Sequence, residues 1–266
     1  MIYIWNLDPI AFSLLGLSVR WYGIAYVLGF FIILQGGQWL LQKVKKHSIS
    51  LQHLSKESFE NLCFGLFFSG ILGGRIGLFL FYNPQTFWTD FWEIFKVWHG
   101  GMSIHGGILG AFLFGFFWCK KNKIPILPLA DILIIPLALT LFLGRITNFL
   151  NGELVGIPTN QMWGILFPHI DELLRHPSQL YEAGKNLFLF LLLSWLFAKD
   201  FWKKPGFLLA VFLGGYGILR FLIEFYREPA ILIGLLSMGQ ILCIIMILIS
   251  LLLFKKTKII KLHTKK

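Results

Sequence analysis

Seven apolar stretches, each near the length of a membrane-crossing helix, constrain this chain before any motif does. They run at roughly 18–41, 58–82, 103–119, 126–144, 180–198, 206–225 and 235–254. A helix needs about 20 apolar residues to cross the hydrocarbon core, where every backbone polar group must be satisfied within the protein. The third stretch is the shortest and opens on glycines. Charged residues make up 14% of the 266, against roughly 25% in a soluble domain, which leaves too little polar surface for a fold in water. The expectation is an all-α polytopic membrane protein of about seven transmembrane helices with small outer-face segments. No low-complexity linker or internal repeat divides it, so residues 1–266 read as one domain. Residues 1–9 show neither a basic start nor a small-residue cleavage site, so the first span is expected to stay rather than be removed as a signal peptide.

The lysines give an orientation. Loop 42–57 holds Lys43, Lys45, Lys46 and Lys56; loop 120–125 holds Lys120, Lys121 and Lys123; loop 199–205 holds Lys199, Lys203 and Lys204. The tail holds Lys255, Lys256, Lys258, Lys261, Lys265 and Lys266. These are alternate loops, and the positive-inside rule makes them cytoplasmic. Seven spans then place the N-terminus outside and the C-terminus in the cytoplasm. The net charge of +11 is therefore a topology signal reinforced by anionic lipid, and no nucleic-acid partner is expected. Cys63, Cys119 and Cys243 lie in or beside apolar runs without CxxC spacing and read as small buried hydrophobes. The histidines show no zinc-binding spacing, so neither a metal nor another cofactor is expected.

The arginines sort the other way. None of Arg20, Arg75, Arg145, Arg175, Arg220 and Arg227 lies in a lysine-bearing loop. At 1.5 Å per helical residue, Arg75 stands about 26 Å and Arg220 about 21 Å from the cytoplasmic start of their spans. A guanidinium is a permanently charged, planar fork of donors suited to phosphate or carboxylate. The outer half of the chain thus reads as built to hold an anion at headgroup depth. Snorkelling to the interface is the simpler reading for Arg20 and a poor one for Arg220. Arg75 lies among Gly70, Gly73, Gly74 and Gly77, two small-xxx-small pairs that favour close helix packing. It is expected to face the bundle and meet either an acid or the anion.

The densest polar stretch is Gly144-Arg145-Ile146-Thr147-Asn148-Phe149-Leu150-Asn151-Gly152-Glu153, continuing to Gly156. Polar groups at membrane depth are expensive unless paired or used. A capped helix end is the alternative. Further polar positions are Tyr22 in Arg20-Trp21-Tyr22-Gly23, which spacing alone makes an interfacial anchor, and His105 in the glycine-flanked turn opening the third span. Asp131 reads as structural. Glu182 and Lys185 are spaced to pair at i, i+3, and Tyr216, Arg220, Glu224 and Arg227 share one helix face. Residues 83–98 are aromatic and read as a segment lying on the membrane surface. Ser237 to Gln240 reads as the start of an ordinary span.

Six ordered motifs resemble the prolipoprotein diacylglyceryl transferase family. They are Arg20-Trp21-Tyr22-Gly23, Gly73-Gly74-Arg75-Ile76-Gly77, His105-Gly106-Gly107, Gly-Arg-x-x-Asn-Phe-x-Asn-Gly-Glu at 144–153, His176-Pro177-Ser178-Gln179-Leu180-Tyr181-Glu182, and Arg220 with Glu224. The resemblance runs nearly end to end. It implies an enzyme of the bacterial inner membrane that moves the sn-1,2-diacylglyceryl group of phosphatidylglycerol onto the lipobox cysteine thiol of preprolipoproteins, with glycerol phosphate released. It implies catalytic roles for His105, Arg145 and Arg220, and substrate binding by Arg145, Tyr22, Asn148, Glu153, Gly156 and Glu224. His99 and the short segment 157–175 depart from the family pattern. A transporter or flippase for an anionic lipid is the main alternative, although its polar groups should run through the full membrane depth. A non-catalytic lipid-binding scaffold is the other.

Overall fold

The computed structural model describes residues 3–14, 17–46, 51–96, 100–228 and 231–263; Trp98, His99, Pro229, Lys265 and Lys266 lie outside the described residues. Helix α1 (Trp21–Phe31) runs through a π-helical turn (Ile32–Gly36) into α2 (Gly37–Lys45). There follow α3 (Lys56–Phe81), the short α4 (Pro84–Thr89), α5 (Ile104–Asn122), α6 (Ile126–Leu150), α7 (Ser178–Ala198), α8 (Phe207–Ile223) and α9 (Met238–His263). Among the described residues, six helical segments are long and apolar enough to cross a membrane: Trp21–Lys45, Lys56–Phe81, Ile126–Leu150, Ser178–Ala198, Phe207–Tyr226 and Met238–Thr257. The chain is an all-α, multi-pass membrane protein. The third expected span forms as α5, with His105 in its first turn and Lys120, Lys121 and Asn122 at its end, and is not among those six.

Short strands, absent from the sequence reading, trim the helix ends. A hairpin of β2 (Ile10–Leu14) and β3 (Leu17–Arg20) precedes α1. β1 (Tyr3–Ile4) pairs parallel with β4 (Ile165–Leu166), which pairs antiparallel with β5 (Leu174–Arg175). A second hairpin, β6 (Leu232–Ile233) with β7 (Leu236–Ser237), leads into α9. Beside the first sheet, buried Trp5, Ile165 and Phe167 pack with Phe149 and Val155, and Trp5 Nε1 donates to Phe149 O at 2.8 Å.

The chain divides into two units: Met1–Gly37 with Ala130–Lys266, and Gln38–Leu129. In the second, α3 and α5 lie against each other through the glycines singled out in the sequence. A Cβ at Gly77 would come within 2.8 Å of Gly106 Cα, and one at Gly110 within 3.0 Å of Gly73 Cα. The small-xxx-small pairs therefore act as a backbone-to-backbone seam. Arg75 is buried beside the seam and donates to five carbonyls: Ile94 at 3.1 Å, Gly101 at 3.2 Å, Lys96 at 3.0 Å, and Gly100 and Glu93. The Glu93 carboxylate stands 3.8 Å away. Gly100 and Gly101 have φ of +77° and +76°, a conformation that suits glycine and turns their carbonyls to the guanidinium. Of the two expectations for Arg75, the acid partner is found, together with a clamp on the carbonyls of Glu93, Ile94, Lys96, Gly100 and Gly101 that occupies its donors.

In the first unit, successive helices run antiparallel in close register. Thr140 Oγ1 on α6 donates to Gly29 O on α1 at 3.3 Å, and a Cβ at Gly215 of α8 would come within 2.7 Å of Leu189 on α7. Ser250 Oγ on α9 donates to Ala210 O on α8 at 2.7 Å. Buried Asp131 is structural, as expected: it accepts from Gly206 N at 2.6 Å and Leu209 N at 2.8 Å and so caps α8. Large apolar side chains such as Leu191, Trp195, Leu248 and Leu252 remain exposed along the spans, as a hydrocarbon solvent requires.

Candidate active site

Antiparallel packing gathers the end of α6, the start of α7, the end of α8 and the start of α9 at one end of the first unit. The polar residues of the sequence lie at those ends. The polar stretch 144–153 is not a loop beyond a helix, as the 126–144 span implied. Helix α6 continues to Leu150, so Arg145, Thr147 and Asn148 are helical. The extension is possible because the polar side chains find partners. Thr147 Oγ1 donates to Leu143 O at 3.0 Å, and Arg145 Nη1 donates to Asn148 Oδ1 at 3.4 Å. Asn148 Nδ2 in turn donates to the Tyr22 hydroxyl, which donates to Glu153 Oε2 at 2.6 Å. Tyr22 is thus part of the polar network and more than an interfacial anchor.

Gly152, with φ of +64°, ends the helix and turns the chain toward α7. The turn is tied down by Gln179 Nε2, donating to Glu153 O at 2.7 Å, and Ser178 Oγ, donating to Leu154 O at 2.8 Å. Gly156 follows. Its N–H donates to His176 O at 2.9 Å, and a Cβ there would come within 2.7 Å of His176 Cβ and strike the Tyr226 carbonyl. Only glycine admits that approach, which forms the bridge between Gly156 and Arg227.

Glu182 is the hub that the sequence reading underrated. It is fully buried, with Lys185 Nζ 2.6 Å from Oε2, Arg145 Nε 3.7 Å from Oε2 and Arg220 Nε 2.9 Å from Oε1. The last is an ion pair without hydrogen-bond alignment. The expected i, i+3 pair with Lys185 forms, and Lys185 Nζ also rests 3.5 Å from the Tyr216 ring centroid. Arg220 Nη1 also donates to Glu224 Oε2, the expected pair on α8. Glu224 Oε1 accepts from Ser237 Oγ at 2.8 Å. Ser237 and Gln240 form a reciprocal capping box on α9: Ser237 N donates to Gln240 Oε1 at 2.9 Å, and Gln240 N to Ser237 Oγ at 3.1 Å. The Glu224 carboxylate therefore lies at a helix N-terminus, where negative charge is favoured. The Ser-x-x-Gln spacing was the available signal that this is more than an ordinary span start.

One hydrogen-bonded and ion-paired network thus runs from Tyr22 to Gln240. It brings together Tyr22, Arg145, Asn148, Glu153, Arg220 and Glu224, with Gly156 shaping its edge. The brace on Arg145 is Glu182, while Glu153 is held by Tyr22. His105 belongs to the second unit and is outside this network. It is exposed in the first turn of α5, after the N-cap Ser103, whose Oγ accepts from Gly106 N at 3.3 Å. Arg175, counted with the anion-facing arginines in the sequence, is a structural tie. It contacts Asp171 and donates to Gly156 O at 3.0 Å and Glu228 Oε1 at 2.6 Å. Its guanidinium holds the Asp171 carboxyl below the usual carboxylate range.

Arg145, Lys185, Arg220 and Arg227 face Glu153, Glu182 and Glu224. With all seven ionised, the site has one cation more than it has carboxylates. Burial, with Arg220 and Arg145 nearby, pushes the Arg227 guanidinium below its ordinary value. Such an arrangement at the end of a helical bundle suits an anion electrostatically.

A family model described as prolipoprotein diacylglyceryl transferase matches residues 9–255. A phosphatidylglycerol–prolipoprotein diacylglyceryl transferase of Legionella pneumophila (strain Paris) is 40% identical over 252 residues, covering 92% of this chain and 95% of its own length. One of Ehrlichia ruminantium (strain Welgevonden) is 39% identical over 261 residues, covering 95% and 98%. One of Vibrio cholerae serotype O1 is 40% identical over 253 residues, covering 93% and 90%.

Proposed function

The chain belongs to the prolipoprotein diacylglyceryl transferase family, and from that premise we propose that it transfers the diacylglyceryl group of phosphatidylglycerol to the lipobox cysteine of a preprolipoprotein. It is a multi-pass transferase of a bacterial inner membrane. The whole chain acts as one transferase domain, with seven spans when α5 is counted, the N-terminus outside and the C-terminus in the cytoplasm. The polar network then faces the side from which a secreted preprolipoprotein presents its cysteine.

The observation that carries this reading is the network centred on buried Glu182, with one cation in excess. A phosphodiester carries one negative charge, so the donor lipid completes the balance. In the reaction the substrate thiolate attacks the glyceryl carbon that bears the phosphate. A C–S bond forms, the C–O bond breaks, and its electron pair leaves on the phosphate oxygen as glycerol phosphate. The phosphate thus gains a second negative charge, and donors fixed before the reaction stabilise that charge most in a dry site. Arg145 and Arg220 supply those donors, held in place by Glu182 and Glu224. Tyr22, Asn148 and Glu153 orient the glycerol headgroup and Arg145, and Gly156 leaves room beside them. His105 takes the thiol proton, directly or through water.

The test is a purified-protein assay with phosphatidylglycerol and a lipobox peptide. Wild type yields the thioether, and Arg145→Ala and His105→Gln lose it. A wild-type protein without thioether product contradicts the assignment; a fully active His105→Gln removes the base role alone.

A further inference from the structure

We propose that Arg227 is a third guanidinium for the donor's phosphate, recognising the phosphodiester before reaction and the phosphomonoester product after it. The inference rests on the transferase reading above and adds a binding residue to it. Arg227 was legible in the sequence as the last member of a helix face, yet α8 ends at Ile223 and Arg227 lies beyond the turn Glu224–Tyr226. Its backbone is fixed from the opposite side, by the bridge to Gly156 and by Ile157 N donating to Tyr226 O at 3.2 Å. The close approach at Gly156 therefore sets the position of a charged side chain.

That side chain is not fully satisfied by the described residues. Its Nη1 is buried without a hydrogen-bond partner among the described residues. The nearest carboxylate, Glu224, is 4.0 Å from Nε and already accepts from Arg220 and Ser237. Burying a charged donor without a partner is costly, so a fold that keeps one needs a ligand for it. Arg175 shows the contrast. It lies beside the same Gly156 and has its guanidinium satisfied by Asp171, Glu228 and the Gly156 carbonyl. Of the two, Arg227 is the one left for a phosphate. A planar fork suits phosphate oxygens, and a third fork is most useful once the leaving group becomes a dianion.

The experiment compares wild type, Arg227→Gln and Arg227→Lys in detergent, by thermal unfolding with inorganic phosphate or glycerol phosphate and by transfer kinetics against phosphatidylglycerol. Glycerol phosphate raises the wild-type melting temperature; inorganic phosphate doing so equally identifies a site for the phosphate group itself. Arg227→Gln melts no lower than wild type without anion, because an uncompensated buried charge is gone. It loses the anion-dependent rise, and its KM for phosphatidylglycerol increases tenfold or more while kcat falls less. Arg227→Lys recovers part of the anion response. A purely structural Arg227 gives the opposite pattern, lower melting with unchanged KM, and overturns the proposal. So does an Arg227→Gln protein whose anion response equals that of wild type, or a wild type that responds to neither anion. Wild-type protein without transfer activity overturns the donor reading, and the anion-dependent melting still decides Arg227.

Discussion

At Glu182 a single carboxylate holds Lys185, Arg145 and Arg220, contributed by three helices, with no solvent to share the load. Removing one partner from a buried ion cluster leaves charges uncompensated, at about 3–5 kcal/mol. Glu182→Gln is therefore expected to lower stability by that order and to abolish transfer, measured by thermal unfolding and product formation. His176 offers a pH test. Burial pushes its imidazole below the ordinary value of 6.5. The folded state then binds fewer protons than the unfolded one between the two values. Stability is full above pH 6.5 and declines as the pH falls through the folded value. Melting curves across that range should show the decline, and His176→Gln should flatten it. Much of the site at this scale was legible in the sequence, because Arg145, Asn148, Arg220 and Glu224 are conspicuous in apolar surroundings. Spacing along α7 shows only the local Glu182–Lys185 pair, because the other partners of Glu182 lie on α6 and α8. Depth alone does not distinguish a guanidinium that holds carbonyls or carboxylates, as those of Arg75 and Arg175 do, from one that meets a phosphate.

Among the elements, the α3–α5 seam and the α8 cap carry the clearest consequences. The seam leaves no room for a side chain at Gly77 or Gly110. Gly77→Leu is expected to force the helices apart and destabilise the second unit, seen as loss of folded protein on size-exclusion chromatography or a lowered melting temperature. Asp131→Ala removes the acceptor for two N–H groups of α8 and should cost about 1–2 kcal/mol, with transfer per folded molecule retained. That pairing of outcomes separates a cap from a catalytic acid. The apolar runs made every long helix legible, and the glycine spacing made the seam legible. The true end of α6 was not, because a hydropathy pattern stops where polar residues start, whereas the helix runs on to the turn at Gly152, whose φ is +64°. The two-residue strands were hidden for a related reason: they are fixed by partners far away in the chain, as β1 is by β4.

For the whole molecule, the helices supply a scaffold whose ends alternate, and the sequence places its ionisable groups according to that alternation. Within the first unit, Lys199, Lys203 and Lys204 lie between the end of α7 and the start of α8, while the cationic network occupies the opposite ends of those helices. Membrane-impermeant labelling should reach a cysteine introduced at Met162, which is fully exposed, from the outside of intact cells, and one at Lys203 only after permeabilisation. The reverse pattern would invert the topology. The most direct measurement of the central claim follows both products of one reaction: thioether on a lipobox peptide and glycerol phosphate from phosphatidylglycerol, in proteoliposomes of purified wild type, Arg145→Ala and Arg220→Ala. The network predicts equal amounts of the two products from wild type and loss of both in either variant. Glycerol phosphate without thioether, or an Arg145→Ala protein that turns over like wild type, would contradict it.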